Sequence, residues 1–362
     1  MGSVQAGLDL DDAAELREAD RDGLLRAAAC AGAQVRATAA AVDEGVLTPI
    51  GAGSSPRSVV WLHGRGTAET AGTLLGACAS GSFAGAPLVV TGIAPRWIGP
   101  LDVVMIAGDD PADPALLNGA DLAVRRGARL AVAAPFEGPL RDAAAGRAVV
   151  LAPRIWAPDT FGLCRFLAVG VALEAMLDNR FESGVDLLAL ADELDAEALR
   201  NSVDREVFTN PAKSLAERIF QRRAVFAGDN PATLALARHA AATVLRLSGH
   251  VVGGLALRDA ITGLTALSSA GGPRGSAAGL FHDDQIDGPR PDRIRLLALT
   301  LSADREVVAA RTAGFDDVDL ISSQDTGESV SAQVVHANTA TQLAVLALRL
   351  EMAAVYLRLI SG

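Results

Sequence analysis

The chain has 362 residues, enough for two domains of ordinary size; half are apolar and only 4% are aromatic. Ala, Val and Leu dominate, a composition suited to small-residue strands and closely packed helices. A formal net charge of −11 excludes an extended nucleic-acid surface, which needs a basic face to displace counterions.

The opening stretch MGSVQAGLDLDDAAELREAD is acidic and has no apolar core, so a signal peptide is not expected. Residues 9–43 read as one or two amphipathic helices carrying Leu16, Leu24, Leu25 and Val35. Strand and helix signals then alternate. SVVWLHG is a strand and residues 67–79 a helix; APLVVTG and LDVVMIAGD are strands; residues 114–126 form a helix; RLAVAAP and RAVVLAP are strands. Continuous apolar runs of this kind between helices indicate a parallel sheet covered on both faces. Helices follow at about 160–178 and 186–200.

After NPAKSLAERIF the pattern resumes. AVFAGDN is a strand, residues 231–247 a helix, HVVGGLAL a further strand, and IRLLALTL and DVDLISS clearer ones with a helix at 303–313 between them. Residues 268–292, rich in Gly, Pro, Ser and Asp, read as a mobile loop. A long helix from about 337 to 360 closes the chain; its Arg349, Glu351 and Arg358 mark it as a core helix, and no run reaches the ~18 apolar residues of a membrane span. The expected fold class is α/β: two doubly wound parallel-sheet domains, 1–207 and 208–362, with a helical lead-in and a long C-terminal helix. Cys30, Cys78 and Cys164 are odd in number, far apart and outside any metal spacing, so the expectation is a cytoplasmic protein with reduced thiols and no metal.

The stretch VVWLHGRGTAETAG has the layout of a strand, a tight turn and a helix N-terminus, which can hold a phosphate on free backbone N–H groups. A dinucleotide site would need a third glycine where Glu69 stands and an acid after the second strand, which ends LVVTG. A Walker loop would need a G-K-[ST] triplet, and none occurs. What remains is a turn of Gly64, Arg65, Gly66 and Thr67 that either cradles another phosphate ligand or only lets the helix pack close to its strand. One count stands out: of 32 basic residues only Lys213 is a lysine, and it lies in NPAKSLAERI.

The helical lead-in, two α/β halves, the NPAKSLAERI segment and the terminal VYLRLISG helix together resemble the bifunctional phosphoglucose/phosphomannose isomerase family, built from two sugar isomerase (SIS) domains. The resemblance runs over nearly the whole chain. It implies a sugar phosphate ligand (glucose, mannose or fructose 6-phosphate), no cofactor, a homodimer, and aldose–ketose interconversion through an enediol, which needs a base and an acid. Gly64 and Gly66 match the family's first phosphate loop, with Arg65 and Thr67 as further phosphate contacts. The Ser-rich second loop, S-x-S-G-x-T, is replaced by IAGDDPADPALL. There Asp109 and Asp110 stand in place of hydroxyls and would repel a phosphate unless Mg²⁺ bridges them to it; the alternative is that Asp110 and Asp113 cap the next helix. Aligning Arg238 with the family arginine puts Leu245 where the catalytic Glu belongs, and VVGGLALRDAITG lacks the family histidine. Relocated proton-transfer candidates are His250, Glu206 and Lys213; the alternative is a non-catalytic phosphosugar sensor or scaffold. His282, Asp283, Asp284 and Asp287 form a separate ligand-like cluster in the predicted loop, Arg222 and Arg223 edge the second half's first strand, and Asp229 and Asn230 rim its turn.

Overall fold

The computed structural model describes residues 8–78, 83–178, 185–270, 294–325 and 338–362. Asp12 accepts from the amides of Ala14 and Glu15 and starts α1 (Ala13–Ala19). Asp20 then accepts from Leu24 N and Leu25 N, and Gly23 adopts φ +64°. The lead-in therefore breaks into separate pieces, α2 (Leu24–Ala29) and α3 (Ala31–Asp43), followed by the single turn α4 (Thr48–Gly51). This differs from the one or two helices expected, because a side-chain cap and a left-handed residue interrupt an otherwise helical apolar pattern.

The first sheet unit runs β1 (Ser58–His63), α5 (Thr67–Cys78), β2 (Leu88–Thr91), β3 (Asp102–Ala107), α6 (Pro114–Arg126), β4 (Arg129–Ala133), α7 (Gly138–Ala144) and β5 (Ala148–Val150). All neighbours pair in parallel, in the order β2-β1-β3-β4-β5. Alternate residues of β1 serve opposite faces: Val59 and Trp61 join the apolar cluster with α5, whereas Val60 and Leu62 join the one with α6 and α7. That two-sided burial is why the strand reads as a continuous apolar run. At Gly72 a Cβ would come 2.4 Å from Trp61 Cδ1, so the glycine lets α5 lie flat on the indole, whose Nε1 donates to Ala68 O at 2.8 Å.

Helices α8 (Leu163–Leu177), α9 (Leu187–Arg200) and α10 (Pro211–Ile219) lead to a second sheet unit: β6 (Arg223–Gly228), α11 (Pro231–Ser248), β7 (Gly253–Ala256), α12 (Leu257–Ala270), β8 (Ile294–Leu299), α13 (Arg305–Thr312) and β9 (Val318–Ile321). These four strands are also parallel, in the order β7-β6-β8-β9. The terminal helix α14 (Thr339–Ser361) packs on α8, α9, α10 and α11 and is buried along nearly its whole length. Its Arg349 donates to Glu197 of α9 at 2.6 Å and to the carbonyls of Ser322 and Ser323; its Glu351 meets His239 of α11 at 3.1 Å. One apolar cluster extends through both sheet units around this helix.

The mixed α/β class, two parallel sheets and the long closing helix are as expected. Helices α7 and α12 are additional, and β7 occupies only the second half of HVVGGLAL. Within the predicted 268–292 loop, α12 continues to Ala270; His282, Asp283, Asp284 and Asp287 lie outside the described residues. Among the described residues no helix is long and apolar enough to cross a membrane.

Candidate functional site

In an open parallel sheet, ligands bind beyond the strand carboxyl ends where the strand order reverses. In the first sheet that point lies between β1 and β3, since their successors β2 and β4 go to opposite sides. Residues 64–67 and 108–113 both emerge there. Gly64 N donates to Ala107 O at 2.8 Å, extending the ladder one step past His63. Gly66 then takes φ +93°, a conformation that disfavours any side chain, and the chain turns into α5. Arg65 is exposed at the tip of the turn, while Thr67 is buried and its hydroxyl donates to Asp159 O at 3.4 Å. His63, half-buried at the strand end, has Nδ1 3.1 Å from Gly64 O.

The acidic loop after β3 divides its carboxylates among different tasks. Asp110 accepts from Ala112 N at 2.8 Å, and Asp113 is the N-cap of α6, accepting from Ala115 N at 2.9 Å with Pro114 in the first turn. Asp109 instead accepts from Arg165 Nη2 of α8 at 2.6 Å, and the Arg165 guanidinium lies 4.1 Å over the Phe166 ring. The side chains of Asp109 and Arg165 are 26% and 7% exposed. Two atoms of this pair, Asp109 Oδ2 and Arg165 Nη1, are buried without a hydrogen-bond partner. Burial pushes the Asp109 carboxyl above the ordinary carboxylate range, Arg165 opposing and the nearby Asp159 adding to the rise.

The crevice is bounded on its far side by the second unit. Arg246, in the last turn of α11, donates to Asp159 Oδ1 at 2.9 Å. Leu245 beside it is 52% exposed, and its hydrocarbon side chain carries no proton-transfer group. Gly162, the N-cap of α8, also closes on the site: a Cβ there would come 3.1 Å from Thr67 Oγ1.

The equivalent switch point of the second sheet is filled by its own side chains. Asn230 and Thr233 form a capping box at the start of α11, Thr233 also donates to Asp229, and Asn230 Nδ2 donates to Asp304. After β8, the amide and hydroxyl of Ser302 both donate to Gln342 of α14 at 2.9 Å. The amides of Asn230, Thr233 and Ser302 are thus already used. A separate cleft of about 340 Å³ lies between α10 and β9, lined by Phe208, Leu215, Arg218 and Ile321 among others.

Gly64, Arg65, Gly66 and Thr67 follow β1 and Asp109 follows β3, so they lie on adjacent loops at the carboxyl ends of neighbouring strands. The three proton-transfer candidates have other surroundings. Lys213 is fully buried and donates to Val203 O at 2.8 Å and Arg205 O at 2.7 Å, with its ammonium 5.6 Å from the Tyr356 ring. Glu206 is exposed, its carbonyl accepting from the Thr209 amide and hydroxyl. His250 lies just past the end of α11, near Ser248 O and the Phe220 ring. Arg165, Asp159 and Arg246 were not singled out in the sequence. Arg165 did leave a signal there, as the single cation in the apolar run LCRFLAVGVALEAML.

No family model and no curated protein matches the chain. Solved structures do. Tagatose-6-phosphate ketose/aldose isomerase from Escherichia coli aligns with a TM-score of 0.58 at 13% identity, over 97% of this chain and 94% of that one. The C-terminal domain of glucosamine-fructose-6-phosphate aminotransferase from Francisella tularensis aligns with a TM-score of 0.56 at 11% identity, over 94% and 96%. A glucose-6-phosphate isomerase like protein from Thermus thermophilus aligns with a TM-score of 0.52 at 19% identity, over 98% and 94%. The chain thus has the α/β fold of SIS-domain phosphosugar isomerases along its length, and at these identities the likeness is one of fold.

Proposed function

We propose that this chain binds a sugar phosphate at the β1–β3 crevice, with the phosphate on the 64–67 turn at the N-terminus of α5 and the sugar toward Asp109 and Arg246. The carrying observation is the arrangement of that turn. A positive-φ glycine and an exposed Arg65 stand at a helix start, where backbone donors and the helix dipole favour an anion. The Arg165 counter-charge on Asp109 offsets the repulsion that an isolated carboxylate would exert on a phosphate. The names of the structural neighbours support a phosphosugar over other phosphate ligands. Within that class, glucose, mannose and fructose 6-phosphate are the proposed ligands, in a homodimer of the bifunctional phosphoglucose/phosphomannose isomerase type.

Calorimetric titration with these three sugar phosphates tests the reading. At least one binds, and Arg65→Ala weakens it by about 10–100-fold, the equivalent of a charge-assisted hydrogen bond. Absence of binding by all three overturns it. Sedimentation equilibrium tests the dimer.

A second reading, a non-catalytic phosphosugar sensor, is favoured by the exposed Leu245 in the last turn of α11. Solvent deuterium uptake at C2 of a bound aldose phosphate, or at C1 of fructose 6-phosphate, separates the two, since only a chain with a base exchanges that proton.

A further inference from the structure

The cleft between α10 and β9 shares no lining residue with the β1–β3 crevice, and its volume of about 340 Å³ is that of a small-molecule site. β9 is the edge strand of the second sheet. Leu296 N donates to Asp317 O and Thr300 N to Ile321 O. The odd-numbered residues from Asp317 to Ile321 therefore turn their peptide groups toward β8, and those of Leu320, on the cleft wall, point outward. Ile321 joins Leu215 of α10 in the apolar cluster beneath the cleft. Phe208, in the turn before α10, completes the apolar wall and is 76% exposed.

The charged side chains that line the cleft differ in how far they are already satisfied. Arg349 spends its donors on Glu197, Ser322 O and Ser323 O. Asp325 accepts from Arg305 at 2.9 Å and from Ser322 N at 2.6 Å. Arg218 is different. Its ion-pair partner, Asp319, already accepts from Arg295 on both oxygens, at 2.5 and 3.2 Å, and Arg218 Nη1 stands 3.4 Å away. Among the described residues the Arg218 guanidinium makes no hydrogen bond, and the side chain is 37% exposed.

We infer that this cleft is a second ligand site and takes a small organic monoanion, with its apolar, ring-sized body against Phe208, Leu215 and Ile321 and its carboxylate on Arg218. A guanidinium with unused donors matches a carboxylate in shape and charge. One uncommitted cation suits a single negative charge; the second charge of a phosphate monoester would meet repulsion from Asp325 on the same wall. An aromatic ring left in water beside an apolar wall gains free energy when a ligand covers it. The outward N–H of Leu320 is a further donor at the strand edge. Occupancy of this cleft does not require a ligand in the phosphosugar crevice.

Fluorescence titration of the full chain with 8-anilinonaphthalene-1-sulfonate, an aromatic monoanion whose emission rises in apolar surroundings, tests the site. The competitors are 3-phenylpropionate and its uncharged counterpart 3-phenylpropan-1-ol. The expected result is one saturable site, from which the acid displaces the dye and the alcohol at equal concentration does not. Arg218→Gln weakens dye and acid by about 10–100-fold, the equivalent of a charge-assisted hydrogen bond, and Phe208→Ala weakens them several-fold. Both are surface side chains, so both variants keep the fold, which circular dichroism checks. Fructose 6-phosphate leaves the dye in place. Absence of saturable binding overturns the assignment, as does binding that neither variant weakens. An alcohol that competes as well as the acid overturns the role of Arg218. Displacement by fructose 6-phosphate puts the dye in the β1–β3 crevice and overturns the second site.

Discussion

Arg246 and Asp159 join the two halves of the molecule at the crevice: the guanidinium in the last turn of α11 meets the carboxylate at 2.9 Å, and the backbone carbonyl of the same aspartate accepts the Thr67 hydroxyl. Both side chains are about half exposed, so the pair's contribution to stability is small, about 0–1 kcal/mol. Under the proposed function its position gives it more weight in ligand binding than in folding. Arg246→Ala is expected to shift the urea midpoint very little and to weaken sugar phosphate binding several-fold. A large loss of stability with unchanged affinity would contradict this assignment.

Lys213 tests a different division of labour. Its ammonium donates to Val203 O and Arg205 O in the connection between α9 and α10, and burial lowers its proton affinity, with Asp11, Asp204 and Asp9 opposing. Lys213→Met would leave two carbonyls without their donor, each costing about 1–3 kcal/mol if it stays dry. The expected outcome is a clear fall in unfolding free energy, measured in urea, with sugar phosphate affinity unchanged. Affinity that collapses while stability holds would put Lys213 at the ligand.

Arg349 ties α14 to α9 and to the end of β9. It donates to both oxygens of Glu197 and to the carbonyls of Ser322 and Ser323, and it is 1% exposed. Burial raises the proton affinity of Glu197, but Arg349, Arg200 and Asn201 together outweigh it and hold the carboxyl below its ordinary range. Arg349→Met removes one partner of a buried pair, for which a loss of about 3–5 kcal/mol is expected. Denaturant unfolding at neutral pH measures it, and a loss below about 1 kcal/mol would show that Arg200 alone suffices for Glu197.

Glu351 supplies a pH signature. Burial pushes its carboxyl above the ordinary range, with the His239 hydrogen bond opposing. Its folded value thus lies above the unfolded value of about 4.3. Between those two values the folded chain binds more protons, so this group makes stability fall as pH rises through the window. Glu351→Gln removes that contribution. The stability difference, wild type minus variant, should decline with rising pH across the window, and thermal melts at stepped pH check the sign. A flat or rising difference would refute it.

Much of the fold was legible because its signals are local. The strands of both sheets appear as apolar runs, and Asp113-Pro114 and Asn230-Pro231 mark helix starts by side-chain capping within a few residues. The breaks at Asp20 and Gly23 were harder to see, since they turn on a side chain choosing the backbone two helices share. Of the crevice, Gly64 to Thr67 could be read from one strand–turn–helix segment. Arg165 could not be paired with Asp109, 56 residues away in sequence, because nothing local to either residue specifies the other.

By itself the amino-acid sequence determined the α/β class, the parallel sheets and the strand–turn–helix at Gly64 to Thr67, all consequences of hydrophobic period, turn chemistry and short-range capping. Tertiary structure alone decided which charges meet. It gave Asp109 a counter-ion, used Asp110 and Asp113 for turns, buried Lys213 against backbone carbonyls, and brought Arg246 of the second half to Asp159 of the first. Those outcomes depend on desolvation and on partners far apart in the chain, and both become defined only when the helices close over the sheets.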